Sequence, residues 1–220
     1  MKNIAKQINQ LLITATLTLC ITTAIAQKRD INHVTEKQRA GLSQQLKAFY
    51  RRTAEANVSF TFPKEFIEVK APDNEYFSFD YAMELPGKDF EIWFQVRSEK
   101  ENWASYIKTQ TPDNQNVQTD PDSLYSFIGV ALATTFTGDK TYLVRKTQPN
   151  YLAPFNADVG KSYLLTLLDL PDTKGYKYAL MFTIHKFHAG TIIAVCFTNT
   201  KGLDFFNNIN MVKNCLRFNP

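Results

Sequence analysis

The residues of this chain that could do chemistry are few and far apart in sequence. His185 and His188 form a His-x-x-His pair. Two ligands at that spacing share a face on a helix but point to opposite faces of a strand, so only a turn between them makes them converge. Zinc would need further ligands, and no Glu or Cys stands close by. No metal and no cofactor is therefore expected, and His185 is kept as a candidate binding residue at a hairpin. Cys196 lies between Val195 and Phe197 in an apolar run. That is a core setting with nothing to activate a thiolate for Cys-His hydrolysis. There is no Gly-x-Ser-x-Gly elbow and no Gly-rich phosphate loop ahead of a helix.

Acid–base hydrolysis needs two carboxylates within reach of one substrate. Asp80, Glu84 or Glu91 could supply one and Asp158 the other only if the fold brings them together. Phe155-Asn156-Ala157-Asp158-Val159-Gly160 is the most site-like stretch. Asn156 and Asp158 could grip a ligand or partner from a polar loop, or could simply pin a turn through their own backbone. Trp93 stands among Glu91, Gln95 and Arg97 on the polar face of a strand. It reads as a contact residue unless a helix covers it. No catalytic residue is assigned.

The elements that must position these residues follow from periodicity. Thr35 to Gln38 reads as a capping box, and Leu42, Leu46, Phe49 and Thr53 continue at helical spacing over 36–55. Short strands are expected at 58–62 and 66–69. Phe77, Phe79, Tyr81, Met83 and Leu85 alternate, as do Phe90, Ile92, Phe94 and Val96 after Pro86-Gly87. This predicts an antiparallel hairpin with one buried face. A short helix is expected at 99–109. Asp120-Pro121 opens a broad apolar stripe that Gly138 closes, a helix over 121–136 that should lie on the sheet. Strands at 141–146, 161–169, 176–185 and 191–198 and a final helix ending near Cys215 complete an α+β pattern, an antiparallel sheet covered by helices.

Residues 1–26 carry Lys2 and Lys6, an apolar run from Leu11 to Ile25 and small residues at Ala24 and Ala26. This is the pattern of a secretory signal peptide cut between Ala26 and Gln27. The run is too short and too rich in threonine for a spanning helix. Leu19 before Cys20 does not suit lipid attachment. Cleavage takes two lysines from a chain of formal charge +4 and leaves +2. That balance offers a nucleic-acid partner no overall attraction. The remaining excess is concentrated in 27–57, a leader and basic helix that could rest weakly on an anionic membrane surface. No later run is apolar enough to span a bilayer. The chain's seventeen Phe and ten Tyr, all but Phe49 and Tyr50 within 58–220, supply a large core for one domain over 58–220. Cys196 and Cys215 survive cleavage, and an exported pair could be joined or remain two buried thiols.

The order of elements, the Phe155–Gly160 segment and the closing Leu216-Arg217-Phe218 resemble small exported proteins of the PsbP-like α/β/α type. The hexapeptide is similar to one found in exported proteins of Bacteroidetes-type bacteria. The resemblance covers 58–220 and implies an assembly or accessory role without transferring a site residue. The expectation is an exported, periplasmic or secreted, non-catalytic module that binds an envelope protein or a small ligand. One alternative is a small-molecule carrier with an apolar pocket between helix 121–136 and the sheet. Another is a hydrolase with convergent carboxylates.

Overall fold

The burial of alternate residues on seven strands generates two separate cores, one on each side of a single sheet. A computed structural model describes residues 44–110, 119–139 and 141–220. The signal peptide, the Ala26–Gln27 junction, Cys20 and the Thr35–Gln38 box lie outside the described residues. Helix α1 runs through 44–55. The strands and helices that follow are β1 (Val58–Phe60), β2 (Ile67–Val69), β3 (Tyr81–Glu84), β4 (Glu91–Ser98), α2 (Lys100–Thr109) and α3 (Leu124–Thr137). Then come β5 (Leu143–Lys146), α4 (Pro149–Leu152), β6 (Val159–Thr166), β7 (Tyr178–Lys186), β8 (Gly190–Thr198), α5 (Leu203–Val212) and β9 (Leu216–Phe218).

Every pairing is antiparallel. The large sheet has the order β2-β3-β4-β8-β7-β6-β5. The fold is α+β, with helices packed on both faces of this sheet. On one face, α3 inserts Ala133 and Phe136 against Trp93, Tyr163, Met181, Val195 and Phe197. On the other, Phe49 of α1, Phe205 and Val212 of α5, and the small β1–β9 sheet cover Tyr81, Met83, Ile92, Phe94 and Ile192. The first and last strands pair through Val58 opposite Phe218, which ties the two ends of the domain together.

Several boundaries follow local chemistry. Asp120 accepts a hydrogen bond from the Asp122 amide at 2.9 Å, and Pro121 starts a 3-10 turn that leads into α3. Gly138 ends α3 at a φ of 72°, in the left-handed region that glycine adopts without steric cost. The hairpin departs from its alternation. Phe77 and Phe79 pack on the α3 face, whereas Tyr81, Met83 and Leu85 pack on the α1 face. The chain bends at Asp80, whose amide donates to the Phe94 carbonyl while its carboxylate accepts from the Val96 amide at 2.7 Å. That detour breaks the period-two pattern and sends the two halves to opposite faces.

Candidate functional site

The covering on the α1 face stops short of the β5 edge. The sheet side chains left beneath the gap fall in cross-strand rows set by register. Arg145 lies opposite Ser162, Ser162 opposite Phe182, Phe182 opposite Ala194, and Ala194 opposite Phe94. The adjacent row runs from Leu164 through Leu180 and Cys196 to Ile92. Above them, α5 and the turn around α4 leave a cavity of about 800 Å³. Its size falls within the range of small-molecule sites, roughly 300–1,000 Å³.

Floor and rim differ in chemistry. Leu180, Phe182, Ile184, Ala194 and Cys196 form an apolar floor, closed at one side by Val212, Cys215 and Leu216. The exposed residues at the rim are Arg145 and Lys146, Gln148, Asn150 and Tyr151, Phe206 and Asn210 of α5, and Lys213 in the turn just after it. Among the described residues lining the cavity there is no aspartate or glutamate. Arg145 and Lys213 also make no ion pair among the described residues. The rim is therefore a patch of uncompensated positive charge over an apolar chamber.

Cys196 and Cys215 are free thiols that line this one cavity. Burial pushes the Cys196 thiol above its ordinary range and the Cys215 thiol up to about 12, so neither is a ready nucleophile.

A second polar assembly sits on the α3 side. The buried His185 ring places Nδ1 2.9 Å from Thr191 Oγ1 and Nε2 3.0 Å from Asp122 Oδ1. Asp122 also accepts from the His188 amide at 2.9 Å and meets His188 Nε2 at 3.3 Å. The exposed His188 ring stacks on Trp103 with centroids 3.9 Å apart. Thr, His and Asp are joined here, but Thr191 and His185 are both fully buried, so no substrate reaches the hydroxyl. The cluster clamps the turn before α3 to the β7–β8 hairpin. The hairpin turn does bring the two histidines together, on a carboxylate 63 residues upstream of His185.

The other expected site residues are dispersed. Trp93 is buried under α3, its indole donating to Glu91 at 2.6 Å and packing on Phe197 at 4.1 Å. It faces Phe136 and Phe77 rather than solvent. Asn156 takes a left-handed φ of 51° and donates its side-chain amide to the Phe218 carbonyl at 3.1 Å, holding β9 in place. Asp158 accepts from the Phe187 amide at 2.8 Å. Both polar side chains are thus engaged by backbone groups far away in sequence, 62 residues on for Asn156 and 29 for Asp158. The candidate carboxylates do not converge on Asp158, although Glu84 and Glu91 are direct cross-strand neighbours. Glu91 is buried and paired with Lys174 at 2.5 Å, and Asp80 is engaged by Val96. The strands flanking Asp80 and Asp158 are four spacings apart, roughly 19 Å.

The pocket expected between helix 121–136 and the sheet is not where this cavity lies: it opens on the opposite face. Arg145, Lys213, Phe182 and Ala194 were not singled out by sequence. Their only signal is the polar Arg145 and Ser162 at positions where register demands a core-facing side chain.

No family model matches the chain, and no curated protein matches it. Among solved structures it is similar to the solution structure of cyanobacterial PsbP from Synechocystis sp. PCC 6803. The identity is 12% and the TM-score 0.36, with 75% of this chain and 88% of that chain covered. A likeness at that level carries no argument about family or residue roles.

Proposed function

We propose that this protein is an exported, non-catalytic binding module of the envelope, whose ligand is a small molecule with a substantial apolar part. The observation that carries the reading is the half-roofed floor of Leu180, Phe182 and Ala194 beneath α5. Core side chains of this kind are normally covered, and an apolar concavity of this size gains free energy when filled. Export rests on the signal-peptide pattern of residues 1–26. No helix among the described residues is long and apolar enough to cross a membrane.

The test is the fluorescence of a neutral apolar dye such as Nile red, titrated with purified protein. Saturable enhancement is expected, with loss of at least tenfold in affinity for Ser162→Phe, which fills the floor. A signal unchanged by that substitution contradicts the assignment.

A second reading is favoured by exposed apolar side chains beside the cavity. Leu203, Phe206 and Met211 of α5 and Leu143 of the edge strand β5 are all exposed. They suit docking of an envelope protein, with the cavity receiving one of its side chains. The dye titration separates the two, because a docking groove has no need of saturable small-molecule affinity.

A further inference from the structure

We infer that the ligand is an anionic amphiphile, a single acyl chain ending in a carboxylate or phosphate, with its head held between Arg145 and Lys213. This rests on the binding reading above and specifies its chemistry.

Three observations point the same way. Arg145 ends the cross-strand row Ser162–Phe182–Ala194, so its guanidinium stands at one end of an apolar track. From Arg145 to Ala194 the track crosses three strand spacings, roughly 14 Å. Lys213 comes to the same rim from the turn that follows α5. Neither cation is matched by an acid among the described residues, and none lines the cavity. A solvated surface usually interleaves both signs. Here the cations surround an apolar opening flanked by the exposed aromatic rings of Tyr151 and Phe206. Gln148, Asn150 and Asn210 add amide donors at the same rim. A neutral apolar ligand would use the floor and leave the rim idle, whereas a cationic one would be repelled. A carboxylate or phosphate matches the planar fork of Arg145 and the point charge of Lys213.

The test compares four ten-carbon probes by displacement of Nile red: decanoate, decyl phosphate, decanol and decyltrimethylammonium. One or both anions are expected to bind about five- to tenfold tighter than decanol, with the cation weakest. Within the carboxylate series, each added methylene should tighten binding by up to about fourfold until the chamber is full. Raising salt should narrow the gap between anion and alcohol. The double variant Arg145→Gln, Lys213→Gln should close most of the gap, with Lys146 still at the rim, and keep decanol affinity, while Lys108→Gln on α2 should change neither. Both substituted side chains are exposed, so folding is not at issue. Equal binding of the anions and decanol overturns the headgroup assignment and leaves the apolar cavity standing. Failure of all four probes to bind overturns both.

Discussion

Arg145 is the direct cross-strand neighbour of Ser162 on the face that elsewhere carries Phe182, Ala194 and Phe94. Two polar side chains on an otherwise apolar row mark where the core ends and an opening begins. The covering layer of α1, α5 and the β1–β9 pair is too narrow for seven strands, and the β5 side of the sheet is left partly bare.

Filling the floor is expected to be cheap. Ala194→Phe adds volume into open space rather than into packed atoms, so stability to urea should change by less than about 1 kcal/mol, below the usual range for overpacking. Dye affinity should fall at least tenfold. A loss of several kcal/mol would mean that the floor is already packed.

The two thiols should be slow to react. With Cys215 pushed up to about 12 and Cys196 shifted in the same direction by burial, little thiolate exists near neutral pH. Peptide mapping after maleimide treatment should show labelling at both positions about a hundredfold slower than in denaturant. Saturating decanoate should slow it further. Rapid labelling in the native state, or no effect of a ligand that binds, would place the thiols outside the cavity.

Glu68 should make stability depend on pH. Burial raises its carboxyl from 4.5 to about 7, opposed by the Tyr81 hydroxyl and the Gln45 amide. The folded state therefore holds this proton more tightly than the unfolded chain. Its contribution is fully present below pH 4.5 and is lost as pH rises through 7. In Glu68→Gln the urea midpoint should fall less than in the parent protein over that interval. Parallel profiles for the two proteins would contradict the assignment.

The Asp122 clamp should be expensive to remove. Asp122→Ala leaves the His185 ring nitrogen and the His188 amide without their partner, and stability should fall by about 2–3 kcal/mol. Amide exchange in the β7–β8 hairpin and the first turn of α3 should accelerate most. A uniform change across the domain would argue against a local clamp.

Gly190→Ala probes register at the same hairpin. A methyl group there would run into the Arg97 carbonyl oxygen, which is backbone and cannot move aside. A loss of about 2 kcal/mol or more in urea unfolding is expected, against less than about 0.5 kcal/mol for Gly202→Ala, where nothing lies nearby.

Much of the architecture was legible because it is written in local periodicity. The β4, β7 and β8 alternation, the Asp120-Pro121 start of α3 and its Gly138 stop all act within a few residues. What escaped depends on contacts far apart in sequence. The Asp80 bend turns on a hydrogen bond to Val96, and it reverses the face of Phe77 and Phe79. Trp93 looks exposed among charges, yet Glu91 beside it is itself buried and paired with Lys174. His185 finds its carboxylate 63 residues away. The pairing of β1 with β9 joins Val58 to Phe218. The apolar stripe of 121–136 correctly signals a helix on the sheet, and that helix seals its own face, so the opening falls on the other one. A deficit of covering side chains has no local signature.

The most direct test is an isotope-edited NMR titration of the purified protein with decanoate. Saturable shifts should map to Leu180, Phe182, Ala194 and Ile209, with Arg145 and Lys213 at the margin. Shifts centred instead on Ala133, Phe136 and Tyr163 beneath α3, or no saturable shifts at all, would contradict a ligand site on the α5 face of the sheet.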